Sequence, residues 1–153
     1  MSDWKDDLDK AIESKNGEQF RYAITLPQVA RREFYNLTQW LRKEIEELNK
    51  KYQAAKGRVD IDSPESGQIK IDKNDWPSYH FTLTLSPDGK QIEIDCTSRR
   101  SHSDNRRFRP VTLRLDIDAR NELRIFRNGQ EIDFAGIAKL IFTPLYSEGS
   151  DFE

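Results

Sequence analysis

Apolar residues along this chain recur at two different periods, and the changes of period divide it into elements. Trp4, Leu8 and Ile12 lie four apart, with Asp6 and Asp7 near the start. That spacing predicts a helix from about Asp3 to Lys15, closed by Asn16-Gly17. The period then drops to two: Phe20, Tyr22, Ile24 and Leu26 alternate with Arg21, Ala23 and Thr25, which predicts a short strand. From Leu26 to Lys56 the helical period returns, with Ala30, Phe34, Leu37, Leu41, Ile45, Leu48, Tyr52 and Ala55 on one stripe. Thr25 and Gln28 have capping-box spacing, Pro27 suits a first turn and Gly57 suits the C-terminal cap. At about 1.5 Å per residue this helix is roughly 45 Å long. It either crosses a whole sheet or projects, and a projecting end offers a homodimer contact.

From Arg58 to about Gln130 the pattern is β. Val59 and Ile61 come first, then Ile69 and Ile71 after Ser63-Pro64-Glu65-Ser66-Gly67. A hairpin pairs Tyr79–Leu85 with Lys90–Cys96 around Ser86-Pro87-Asp88-Gly89. Setting Leu85 against Lys90 brings Leu83 to Ile92, Phe81 to Ile94 and Tyr79 to Cys96, apolar against apolar. His80 then opposes Asp95. A second hairpin runs through Val111, Leu113, Leu115 and Ile117, turns at Asp118-Ala119-Arg120-Asn121 and returns through Leu123 and Ile125. Asn128-Gly129 is a tight turn, and Asp133 is placed to cap a last helix carrying Phe134, Ile137, Leu140 and Ile141, limited by Pro144. The expected fold class is α+β: an antiparallel β-meander with a long N-terminal-half helix and a short C-terminal helix packed on one face. One domain spans 1–146, and 147–153 reads as a flexible acidic tail.

Composition adjusts this picture only slightly. The hydrophobic share is 35% and the charged share 34% of 153 residues, a heavily charged surface over one core. The net charge of −2 argues against a general electrostatic hold on nucleic acid or anionic membrane. Cys96 is the single cysteine, so no internal disulfide can form, which suits a reducing compartment and a cytoplasmic protein. No stretch approaches the roughly 18 apolar residues of a membrane span, and the acidic N-terminus does not resemble a secretory signal.

Candidate chemistry concentrates in one segment. Between two predicted strands, residues 99–109 carry Arg99, Arg100, Arg106, Arg107 and Arg109 against a single Asp104, with His102 and Phe108 among them. Guanidinium groups make bidentate contacts with phosphate or carboxylate, and Phe108 is available to stack on a base. The ordinary alternative is a solvated loop with no ligand. Elsewhere Cys96 and His80 fall on opposite faces of the hairpin, so they form no dyad, and a buried structural thiol is expected. Ser101, His102 and Asp104 are too close along the chain for triad geometry. No metal-ligand spacing, phosphate loop or dinucleotide fingerprint occurs, so neither metal nor cofactor is expected. Trp76 is expected to cap the core edge, and Trp40 and Tyr35 to widen the buried face of the long helix. The leading expectation is a non-catalytic binding or regulatory protein working through a protein partner. Nucleic-acid or nucleotide binding through 99–109 is the alternative, and an enzyme without an identifiable motif the third.

Overall fold

The computed structural model describes residues 4–75, 77–101 and 103–146, with backbone only for 4–21, 55, 56, 101, 104 and 146. One helix, α1 (Trp4–Lys56), stands where a helix, a strand and a second helix were expected. The alternation at Phe20–Ile24 hid a second spacing, in which Tyr22, Leu26 and Ala30 are four apart. On the helical path Leu26 and Ala30 are both buried, while Ile24 is 46% exposed. A strand would have buried Ile24 beside Leu26, so burial decides for the helix. Gly17 and Pro27 therefore lie inside α1 rather than at its ends. Gly57 is the cap expected, at φ +90° with its N–H donated to the Gln53 carbonyl.

Eight strands follow: β1 (Val59–Asp62), β2 (Gln68–Lys73), β3 (Ser78–Leu85), β4 (Gln91–Ser101), β5 (Asp104–Arg107), β6 (Val111–Ile117), β7 (Leu123–Arg127) and β8 (Gln130–Ile132). They form one antiparallel sheet in the order β1-β2-β3-β4-β6-β7-β8. The far edge of β4 is shared, with residues 91–94 pairing β6 and residues 97–101 pairing β5. Helix α2 (Phe134–Tyr146) closes the chain and contains Pro144. Its cap is Asp133, whose carboxylate accepts the Gly136 N–H at 2.8 Å.

One core holds these elements together. Leu37 and Leu41 of α1, and Ile137 and Ile141 of α2, are buried with Ile71, Phe81, Leu83, Ile94 and Leu113 from alternate strand positions. Both helices thus cover one sheet face, and the other face is polar. Asn49 ties α1 to the edge strand: its amide donates to the Val59 carbonyl at 2.8 Å and accepts the Val59 N–H at 2.9 Å. Those bonds satisfy backbone groups that an edge strand otherwise leaves open. At the other end, Gly89 (φ +74°) is seated against α1, and a Cβ added there would stand 2.8 Å from Cα of Pro27. Only glycine fits that approach.

The main hairpin keeps the expected faces but not the expected partners. Leu85 faces Ile92, Leu83 faces Ile94, Phe81 faces Cys96 and Tyr79 faces Ser98, a shift of two residues. The turn sets this register. Ser86 donates its N–H to Gln91 O at 2.9 Å and accepts the Gln91 N–H on Oγ at 3.1 Å, so the loop is Pro87–Lys90. Because a two-residue shift preserves the faces, hydrophobic pattern alone could not have distinguished the two registers. No helix among the described residues is long and apolar enough to cross a membrane.

Candidate binding surfaces

The arginine segment is not a loop. Strand β4 continues to Ser101 and β5 returns beside it, with Thr97 opposite Arg107, Ser98 opposite Arg106 and Arg99 opposite Asn105. A register shift between Arg99 and Ser101 leaves Arg100 at a bulge. Alternation places Arg99 and Arg107 on the polar face, while Arg106 shares the face of buried Ser98. Phe108 is half-buried and packs on the core, its N–H donated to the Cys96 carbonyl at 3.0 Å, so it anchors the ribbon and is not presented to stack on a base. His102 and Trp76 lie outside the described residues. Arg99, Arg100, Arg106, Arg107 and Arg109 are all exposed.

On the polar face His80 pairs with Asp72 of β2, Nδ1 to carboxylate at 2.7 Å, and stands opposite Thr97 rather than Asp95. Both members are partly solvated, the ordinary setting of a cross-strand ion pair. Cys96 faces the core on the other side. Burial pushes its thiol up to about 12, far from the range of a nucleophilic thiolate. Farther along the face Arg124 makes paired bonds to Asp118 at 2.9 and 3.1 Å and a third to Glu131 at 3.0 Å. Among the described residues no three of His, Cys, Asp and Glu are grouped to hold a metal ion.

A concave feature with an apolar floor lies where α1 meets β7, β8 and the start of α2. It is an open groove of about 410 Å³ floored by Trp40, Leu123, Ile125, Ile132 and Phe134. Trp40 and Phe134 meet at 6.1 Å between ring centroids and 57° between planes. Four of the five floor residues are only partly buried, although they pack on the core. Glu33, Glu131 and Asp133 stand on the rim, and no Lys or Arg lines it. Helix α1 supplies Glu33 and Trp40, while β7, β8 and the start of α2 supply the rest, which explains why the sequence singled out Trp40 only as a widening of the helix face. Its partner residues Leu123, Ile132 and Phe134 are far away along the chain. Tyr35, expected to widen the same face, is instead 64% exposed on the opposite flank of α1.

No known family model matches this chain, and no curated protein or solved structure matches it at a significant level.

Proposed function

We propose that this protein is a non-catalytic binding or regulatory protein that acts through contact with a protein partner. The groove at Trp40 and Phe134 carries the reading. Partly exposed aromatic and aliphatic side chains, held by rigid elements and ringed by polar groups, are the composition of an interface centre rather than of an ordinary surface. The rim supplies the specificity. Three carboxylates around an apolar floor, with no cation among the lining residues, favour a partner segment with one bulky apolar side chain flanked by Lys or Arg. Glu131 is engaged by Arg124, Asp133 by its capping bond, and Glu33 by Arg32 at 3.6 Å and the Asn36 amide at 3.3 Å, so an incoming cation would join carboxylates already held in place. A single buried thiol supports work in a reducing compartment such as the cytoplasm.

Selection of displayed random peptides on the immobilised protein tests this, with counter-selection on Leu123→Glu and, separately, on Trp40→Ala. The expected result is enrichment of sequences carrying an apolar anchor between basic residues, with binding lost in both variants. Circular dichroism must show both variants folded. Enrichment that survives both substitutions, or no enrichment at all, overturns the groove as the binding site.

A further inference from the structure

The main path of the sheet ends at β1 and β8, and only one of these edges is closed. At β1 the N–H and C=O of Val59 are both taken by the Asn49 side chain. At β8 the edge is open. Asn128 and Gly129, which join β7 to β8, stand at φ +51° and +79°, the signature of a type I′ turn, so the flanking residues Arg127 and Gln130 exchange both backbone bonds. Antiparallel pairs alternate, so Ile125 and Ile132 do the same, while the Glu131 N–H and C=O point away from β7. The Glu131 carboxylate bonds to Arg124, and among the described residues no side chain bonds to its backbone.

The surface beside this edge is shaped to hold side chains. Gly136 lets α2 approach β8 so closely that an added Cβ would stand 3.2 Å from Cβ of Ile132. Next to it is an open hollow of about 330 Å³ lined by Ile132, Gly136 and Leu140 together with Arg127 and Lys139, and by no carboxylate. Leu140 is only partly buried and lies outside the core cluster. Among the described residues no carboxylate is paired with Arg127 or Lys139. A strand laid antiparallel along β8 therefore meets three environments in order. Its residue opposite Ile132 faces the helix side, toward Ile132 and Leu140, and is apolar. The next residue exchanges both backbone bonds with Glu131 and turns its side chain to the polar face beside the Glu131 carboxylate, where Lys or Arg fits. The third, opposite Gln130, returns to the helix side near Arg127, where Asp or Glu fits. We infer that the free edge of β8 receives an extended segment of a partner protein reading apolar–basic–acidic, added as a further antiparallel strand. A second copy of β8 does not meet these requirements, since it would set Glu131 against Glu131 and Gln130 against Ile132. The contact adjoins the Trp40 groove but uses neither Trp40 nor Phe134.

Fluorescence anisotropy of the full chain with a labelled peptide, Thr-Thr-Leu-Lys-Asp-Thr-Thr, tests the inference. Single N-methyl groups on the peptide separate backbone pairing from side-chain contact. Methylation at its Lys removes the N–H given to the Glu131 carbonyl and should weaken binding by about tenfold, whereas methylation at its Leu, whose N–H faces solvent, should change it by less than about twofold. Arg127→Glu should weaken binding of this peptide by about fivefold and strengthen binding of the same peptide with Lys in place of Asp. Circular dichroism of Arg127→Glu should match the wild type, and Arg127→Gln gives the same direction of change should it not. No binding at about 1 mM peptide, equal effects of the two methylations, or indifference to the charge at position 127 each overturn the inference. Binding lost in Trp40→Ala but kept in Arg127→Glu overturns it as well and seats the peptide in the groove, so the two contacts fail separately. Self-association of the chain that the peptide displaces overturns it in favour of a second copy at this edge.

Discussion

At the scale of single residues, Cys96 shows how burial replaces reactivity with a stability contribution. The thiol faces the core at 1% exposure, and loss of hydration raises its pKa to about 12 from a usual value near 9. An acid with a raised folded pKa binds more protons folded than unfolded, so stability falls as pH rises between the two values. The slope for this one group is about 1.4 kcal/mol per pH unit between pH 9 and 12. Urea titrations of the wild type and of Cys96→Ala at pH 8 and pH 10 should separate it from the other alkaline groups. The wild type is expected to lose more stability over that interval than the variant. Equal losses would mean that the thiol ionises in the folded state. His80 offers a contrast one residue from Phe81: its ring turns to the polar face and pairs with Asp72, so alternation alone decides which side chain is solvated.

Legibility from the sequence changes at the scale of elements. Elements whose pattern and local chemistry agree were readable: the strands at Val59, Ile69, Tyr79, Val111 and Leu123, the Gly57 cap, the Asp133 cap and the Asp118 turn. In that turn, which the sequence placed at Asp118-Ala119-Arg120-Asn121, Asp118 accepts the N–H groups of Arg120 at 2.8 Å and Glu122 at 3.0 Å, the side-chain-to-backbone bonding by which aspartate favours turns. Two kinds of element were not readable. Strands β5 and β8 are short, and β5 is made of Asp104-Asn105-Arg106-Arg107, which has no apolar alternation at all; it is a strand because β4 extends far enough to pair with it. Helix α1 was divided because Gly17 and Pro27 are breakers by local propensity, and a long helix overrides them. Pro27 makes that override testable. It forfeits one helical hydrogen bond and crowds the preceding turn, a cost of up to about 3 kcal/mol in a helix interior. Pro27→Ala should therefore raise stability by about 1–3 kcal/mol in urea unfolding. A loss of stability would show that Pro27 begins a helix, as its sequence context predicted.

For the whole molecule, the length of α1 is the feature that a compact domain cannot absorb. Fifty-three helical residues at about 1.5 Å each give a helix of about 80 Å. A compact domain of 153 residues has a radius of gyration near 15 Å, and so a width of about 40 Å. The sheet accounts for part of that length: Asn49 of α1 clamps β1 at one end, while Pro27 sits on the β3–β4 turn and Tyr22 donates to Asp116 at 2.8 Å at the other. The stretch from Tyr22 to Asn49 spans about 40 Å at the helical rise, which equals the expected width of the body. Trp4 to Arg21 is additional helix beyond it, and a continuous helix carries that stretch up to about 27 Å past the sheet. Small-angle scattering of the full chain distinguishes the alternatives directly. A continuous α1 predicts a maximum dimension of about 80 Å, with a tail in the distance distribution that removal of residues 1–21 abolishes. A helical hairpin folded back at Asn16-Gly17, which the local breaker signal favours, predicts about 50 Å and little change on truncation. The concentration dependence of the forward scattering then tests the homodimer offered by a projecting helix. Mass that doubles with concentration in the full chain but not in the truncated one assigns self-association to the first third of α1, away from the groove.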